Sequence, residues 1–246
     1  MKYCVVLVNL LIIFSCSKTP SDVPIGQNSS QDDFDPCEQD CIDNKEISID
    51  GVIDDDWEPI YENTHDSNWN SNNDNNDFGN LYFARNNTFL FIAVSGGFST
   101  GENTVNLYID LDYQNGTGLN DFSSISGGIY GDHLRKEVTT PTDFGADIAF
   151  SVWAVAYDEG IVSLEDENNV DQNIIDEANI ESNSSVIEFA IPFAAIYPDG
   201  EIPFGQSIAL VAIIGGDNNV SIADDSIPQP AGAFSGNFTT VIHRAY

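Results

Sequence analysis

Residues 104–112 alternate strictly between polar and apolar side chains. The odd positions, from Val105 to Leu111, are apolar, and the even positions carry Thr, Asn, Tyr or Asp. This two-residue period is that of a β-strand with one buried face. Residues 89–94 are apolar throughout, which predicts a central strand covered on both sides. Turn-forming residues separate further short apolar runs and no long segment has a helical period, so the sequence predicts one all-β domain over residues 46–246.

The N-terminus has the pattern of a bacterial lipoprotein signal. Lys2 precedes an apolar run, and residues 13–16 read Ile-Phe-Ser-Cys, which is a lipobox. We therefore expect residues 1–15 to be a signal peptide and Cys16 to carry a lipid. A transmembrane helix is the alternative, but the apolar run is shorter than the roughly 20 residues that a bilayer requires. Ser17 beside the modified cysteine favours the outer membrane, on its periplasmic or cell-surface face.

Residues 16–45 have the composition of a disordered tether. They are rich in Ser, Pro, Asp, Asn and Gln, and such a segment buries too little apolar surface to fold. The tether contains Cys37 and Cys41, for which an exported protein favours a disulfide. A metal site at these cysteines would need further ligands, and no His or other Cys stands nearby in the sequence.

The charge of the chain narrows the class of partner. The formal net charge is −33 and the pI is about 4.1. A chain with so few cations is a poor ligand for phosphates, so we expect no nucleic acid partner and contact with the membrane only through the lipid anchor. The acidic surface is compatible with neutral sugars and divalent cations.

A short motif opens the predicted domain. Residues 46–49 alternate as a strand, and Asp50-Gly51 then breaks it with a turn; Asp54 and Trp57 follow, giving D-G-x-x-D-x-x-W. This motif resembles the start of family 9 carbohydrate-binding modules and their DOMON-like relatives. The later sequence E-x-A-I-P, from Glu188 to Pro192, is similar to a strand of the same family. The resemblance implies an antiparallel, jelly-roll-like β-sandwich in which the tryptophan belongs to the core.

The resemblance also implies a calcium site. One set of short segments resembles DOMON-like modules of secreted glucan-degrading enzymes. The set consists of Asp110-x-Asp112, then Thr117-Gly118, and later Gly145-Ala146-Asp147. By that resemblance Asp110, Asp112 and Asp147 lie together and hold a structural calcium ion. The segment fails as an EF-hand, because Asn115 stands where that loop requires glycine. The alternative is a solvated acidic face.

Four aromatic residues are candidates for contact with carbohydrate. Trp69 lies in a polar loop of Asn and Asp residues, where an aromatic ring could cover the C–H face of a sugar while amides bind its hydroxyl groups. Trp69 as a lid over the sandwich is the alternative. Trp153 and Tyr157 share one face of a predicted strand over residues 145–157, as an exposed platform or as part of a covered face. Tyr108 is the fourth, on the polar face of residues 104–112.

Motifs for catalysis are absent from the sequence. There is no zinc-protease, nucleophile-elbow, P-loop or dinucleotide motif, and His65, His133 and His243 are scattered. The one methionine is Met1, which excludes a methionine-ligated haem. We therefore expect a non-catalytic lipoprotein that binds a polysaccharide or oligosaccharide. An interaction or assembly protein without a sugar site and a small glycan hydrolase are the alternatives.

Overall fold

A computed structural model describes most of the predicted domain. The described residues are 46–67, 76–98, 103–128, 130–153, 158–165, 179–216, 220, 222–229 and 236–246. All of them belong to one compact unit, Pro36–Tyr246. No helix among them is long and apolar enough to cross a membrane.

Strands dominate the described residues. Their bounds are β1 Pro59–Glu62, β2 Asp77–Arg85, β3 Phe89–Gly97, β4 Thr104–Asp110, β5 Ile148–Trp153, β6 Asp158–Ser163, β7 Asn179–Ser182, β8 Val186–Pro192, β9 Ser207–Gly215, β10 Ile222–Ile227 and β11 Ile242–Ala245. Within the described ranges, helical structure is limited to a 3₁₀ turn and two single turns, at Phe122–Ser124, α1 Gly131–Leu134 and α2 Phe193–Ile196.

The strands form two antiparallel sheets. The five-stranded sheet has the order β1-β2-β3-β8-β7, and the six-stranded sheet has the order β10-β9-β4-β5-β6, with β11 also pairing with β9. Every strand pair is antiparallel. The prediction of an all-β, antiparallel two-sheet fold is confirmed. The central strand predicted at residues 89–94 is β3, and Leu90 to Val94 are all buried.

The main core lies between the two sheets. The odd-numbered residues of β4 face this core, as the alternation of residues 104–112 predicts, and so do the even-numbered residues of β9. Phe150 of β5 stacks on Phe189 of β8 across the interface, with ring centroids 4.7 Å apart. A buried aromatic pair of this kind contributes about 0.5–1.5 kcal/mol beyond its burial.

A second layer covers the outer face of the six-stranded sheet. Residues 119–146 pass over it and bury Phe122, Leu134, Val138 and Phe144 against β4, β5 and β9. This covering segment contains α1, a single helical turn that no periodicity in the sequence predicts. The even-numbered face of β4 is therefore buried as well, and its last residue, Asp110, lies at the end of the sheet.

The N-terminal segment covers the outer face of the five-stranded sheet. Trp57 is buried there against Tyr82 of β2, with ring centroids 6.0 Å apart, and Ile47, Ile49 and Ile53 pack beside it. The prediction that Trp57 belongs to the core is confirmed. This segment joins the sheet at the turn of Asp50 and Gly51, whose backbone N–H groups both donate to one carboxylate oxygen of Glu188 on β8.

Two predicted strands have different bounds in the structure. The strand expected at residues 145–157 is β5, which begins at Ile148 because Ala146 is still bridged to Leu119 of the covering segment. The closing strand expected at residues 238–242 is β11, Ile242–Ala245. Phe238 instead packs into the layer over the six-stranded sheet. The short turn expected after Pro192 is confirmed as α2.

Candidate functional site

Three carboxylates meet where β4 ends and β5 begins. One oxygen atom from each of Asp110, Asp112 and Asp147 lies within 4.8 Å of the other two. Asp110 is 1% exposed, and Asp112 and Asp147 are half-buried. The prediction that these three residues lie together is confirmed, and the alternative of a solvated acidic face is wrong for Asp110.

Backbone N–H groups orient the carboxylates. The β4–β5 ladder ends at the pair Ile109 and Ile148. Beyond that pair, carboxylate side chains accept hydrogen bonds from several backbone N–H groups. Asp147 accepts from the N–H of Leu111 at 2.8 Å. Asp110 accepts from the N–H of Asp112 and, through its other oxygen, from the N–H of Gly145, both at 2.9 Å. Because each oxygen has two lone pairs, these bonds leave acceptor capacity for a further ligand.

The electrostatics of the cluster favour binding of a cation or a proton. Burial raises the pKa of Asp110 to about 7, and the neighbouring carboxylates of Asp147 and Asp112 add to the rise. Burial likewise raises the pKa of Asp147 to about 6, with Asp112 and Glu165 contributing repulsion. Three like charges in a shared, partly buried position are unfavourable unless a positive charge joins them.

A close backbone contact holds the two halves of the cluster together. Leu119 and Ala146 exchange backbone hydrogen bonds of 2.9 and 2.8 Å, which brings Gly118 and Gly145 side by side. A Cβ atom on Gly145 would lie 1.4 Å from the carbonyl oxygen of Thr117, so only glycine fits there. The sequence Thr117-Gly118 and Gly145-Ala146-Asp147 thus marks the contact that places Asp147 beside Asp110.

Replacing Gly145 by alanine tests this contact. We expect Gly145→Ala to lower the free energy of unfolding by about 2 kcal/mol, because the added methyl group forces the backbone at Thr117 away. Urea denaturation measures the change. Gly205→Ala is the control for a methyl group added without a contact: Gly205 lies in a turn with φ of +74°, and no atom lies within 4 Å of its added Cβ. The control variant should lose about 1 kcal/mol, and equal losses in the two variants would contradict the role of the contact.

The donor set fits a hard divalent cation. Calcium takes six to eight oxygen ligands at about 2.3–2.6 Å, so two oxygens on one ion lie at most about 5 Å apart. The three carboxylate oxygens meet that limit. All three donors are carboxylates, which suits Ca²⁺ or Mg²⁺ better than zinc or copper. Asp112 also accepts a hydrogen bond from the hydroxyl of Thr117 at 2.7 Å, which orients the Asp112 carboxylate.

Two open cavities adjoin the cluster. Their volumes are about 340 and 470 Å³, in the range of small-ligand sites, and both have Asp147 and Glu165 in their walls. The smaller cavity also reaches Asp112 and Tyr197. Tyr197 is fixed by its hydroxyl, which donates to the carbonyl of Leu111 at 3.1 Å.

Tyr108 is not a carbohydrate-binding residue, and that prediction is wrong. Its side chain is 0% exposed and stacks on Phe122 of the covering segment, with ring centroids 3.7 Å apart. Its hydroxyl donates to the carbonyl of Leu134 at 2.5 Å. The alternation of β4 correctly placed Tyr108 away from the main core, but no local pattern showed that a second layer closes over it.

Of the other candidate residues, only Trp153 is described. It is partly buried at the end of β5, with its ring 5.4 Å from that of His133. This partial burial decides neither for the exposed platform nor for the covered face, the two interpretations that the sequence leaves open. Trp69, Tyr157, Cys16, Cys37 and Cys41 lie outside the described residues, and their roles stay predictions.

A further buried carboxylate was not found from the sequence. Asp225 of β10 is 0% exposed and accepts from the N–H of Phe78 at 2.6 Å and the side-chain amide of Asn63 at 2.7 Å. Burial raises its pKa to about 6. These bonds tie Asn63 and the start of β2 to β10, which is a structural role. The sequence marks Asp225 only as part of the pattern D-x-x-P, which does not indicate burial.

Comparisons with known proteins add no family assignment. No protein-family model matches the sequence, and no match was found among curated proteins. The resemblance to family 9 carbohydrate-binding modules therefore stays a prediction.

Proposed function

We propose that this protein is a lipid-anchored, non-catalytic binding module whose β-sandwich holds a structural calcium ion and takes carbohydrate as its ligand. The observation that carries the proposal is the convergence of Asp110, Asp112 and Asp147 beside two open cavities. Its anchor is Cys16, and its place is the outer membrane, on the periplasmic or cell-surface face. The D-G-x-x-D-x-x-W and E-x-A-I-P motifs support the same class of module.

The cluster serves structure better than chemistry. A general acid must reach its substrate, but Asp110 is sealed from solvent and both of its oxygens accept backbone N–H groups. A cation at this position would join the end of β4 to the start of β5 and fix the floor of the cavities.

A neutral glycan is the ligand that the surroundings of the cavities support. Asp147 and Glu165 line both cavities, and carboxylates there accept hydrogen bonds from hydroxyl groups. The same carboxylates, in a chain with a net charge of −33, repel anionic ligands. A polyol without negative charge satisfies both conditions.

Gel retardation tests the proposal. The purified protein should migrate more slowly in native gels that contain soluble β-glucan or xylan, and EDTA should weaken the retardation because the cavity walls lose the cation. Migration is compared with that in a gel without polysaccharide. An unchanged mobility with every polysaccharide of a broad panel would favour an interaction or assembly protein. Release of reducing sugar from the same polysaccharides would show a hydrolase instead.

A further inference from the structure

The rings of Tyr113 and His243 form a stacked pair at the surface beside the carboxylate cluster. Their centroids are 5.1 Å apart with an angle of 27° between the planes. Tyr113 directly follows Asp112, and His243 belongs to β11. Tyr113 is half-buried, whereas His243 is exposed. The pair therefore presents an aromatic surface at the same end of the sandwich as the proposed cation.

Backbone bonds hold the tyrosine side of this pair in a fixed conformation. The N–H of Tyr113 donates to the carbonyl of Ser207 at 3.0 Å, and the N–H of Gln114 donates to the carbonyl of Asp143 at 3.1 Å. Gln114 has a φ of +78°, a left-handed conformation that is unfavourable for residues other than glycine. Such strained residues cluster at binding sites, where the surrounding structure maintains them.

Polar side chains accompany the aromatic pair. Gln114 and Asn115 follow Tyr113 on the turn and are exposed, and the carboxylate of Asp143 accepts from the hydroxyl of Tyr113 at 3.3 Å. Tyr113 packs partly against the layer over the six-stranded sheet, and His243 is held on β11 by the pairing with Ala209 of β9. An aromatic pair whose backbone is held in place, with a carboxylate at one edge, suits a ligand that has one apolar face and hydroxyl groups around its edge.

We propose that Tyr113, His243 and Gln114 form the subsite that receives a sugar ring, with the C–H face of the ring on the aromatic pair and its hydroxyl groups bonded by Gln114 and Asp143. The proposal rests on the carbohydrate-binding function proposed above and names the residues that would give it specificity. Asp143 places negative charge beside the pair, so the subsite selects neutral sugars over acidic ones.

Substitutions on the two sides of the pair test the subsite. In gel retardation with soluble β-glucan and xylan, Tyr113→Ala and His243→Ala should each bind about fivefold more weakly than the wild type, which is about 1 kcal/mol at a factor of ten per 1.4 kcal/mol. Tyr113→Phe keeps the ring and should lose less. His243 is exposed, so its variant stays testable if Tyr113→Ala fails to fold. The melting temperature with and without calcium checks that each variant keeps the cation site.

Phe89→Ala is the matched aromatic control and should bind as the wild type does, because Phe89 is a half-buried ring on β3 of the other sheet, 6.0 Å from that of Phe91. If both alanine variants at the pair bind like the wild type, or if Phe89→Ala loses as much binding as they do, the subsite is overturned while the carbohydrate-binding function stands. If the wild type itself binds neither these polysaccharides nor any other glycan of the panel, the proposed function fails and the subsite fails with it.

Discussion

Calcium at millimolar concentration should raise the melting temperature of the protein by about 5–10 °C relative to EDTA. A ligand present at 100 times its dissociation constant stabilises the folded state by about 2.7 kcal/mol, and each kcal/mol shifts the melting temperature of a chain of this size by roughly 2–4 °C. The physical source is the neutralisation of Asp110, Asp112 and Asp147, whose oxygens lie within 4.8 Å of one another. Thermal unfolding followed by circular dichroism measures the shift.

Asp147→Asn separates cation binding from folding. The amide oxygen of this variant can still accept from the N–H of Leu111, as one carboxylate oxygen of Asp147 does in the wild type. We therefore expect the variant to be at least as stable as the wild type in EDTA and to gain little from calcium. Asp199→Asn, at an exposed carboxylate outside the cluster, should keep the full calcium effect. A wild-type melting temperature that is the same in calcium and in EDTA would overturn the cation site.

The cluster also predicts the pH dependence of this effect. The pKa values of Asp110 and Asp147 are raised from 3.8 to about 7 and about 6. In EDTA, the stability contributed by their protonated forms is complete below pH about 4 and is lost as the pH rises through about 6–7. Calcium requires the deprotonated forms, so the gain in melting temperature should grow over the same interval. Buried Asp225 titrates in either solution, so the difference between the two curves isolates the cluster.

Replacing Glu188 by alanine should lower the free energy of unfolding by about 3 kcal/mol. One oxygen of Glu188 accepts the N–H groups of both Asp50 and Gly51, and a hydrogen bond to a charged group contributes about 1.5–3 kcal/mol. The variant would leave both donors without that acceptor and open a space under the turn. Urea denaturation measures the loss, and hydrogen exchange should be faster at the amides of residues 47–57.

Glu188→Gln is the control variant, because glutamine keeps the shape of the side chain and an oxygen that can accept the N–H groups of the turn. Burial raises the pKa of Glu188, and its second oxygen is buried without a hydrogen-bond partner, so the charge itself is costly at this position. An amide keeps the acceptor for the turn and removes the charge, and we expect it to cost less than about 1 kcal/mol. Equal losses in the alanine and glutamine variants would show that the carboxylate, and not an acceptor oxygen, holds the turn.

The sequence predicted what depends on local periodicity and missed what depends on a second layer. The alternation of residues 104–112 predicts β4, and the apolar run of residues 89–94 predicts β3. The D-G turn followed by Trp57 predicts where the domain begins. Tyr108 shows where this reasoning fails, because an alternating strand does not reveal what packs on its second face. Residues 119–146 supply that layer, and their irregular sequence carries no periodic signal.

The sequence predicts the carboxylate cluster of the candidate site but not the contacts between residues that are far apart in the chain. Resemblance brought Asp110, Asp112 and Asp147 together correctly, since their glycine-containing neighbours mark a close backbone contact. Glu188 and the Asp50-Gly51 turn were each recognised as parts of motifs, but their pairing joins positions about 137 residues apart and no local pattern encodes it. Tyr113 and His243 meet for the same reason, through the pairing of β11 with β9.

The covering of both outer sheet faces limits where this domain could acquire a new specificity. In the described part of the chain, substitutions within the central strands β3, β4, β8 and β9 point into packed layers on either side, so most of them would cost stability before they altered recognition. The turns around the rim, such as residues 113–116, tolerate changes of sequence at much lower cost. Relatives of this domain that bind different ligands should therefore differ in their rim turns while their strands keep the same pattern.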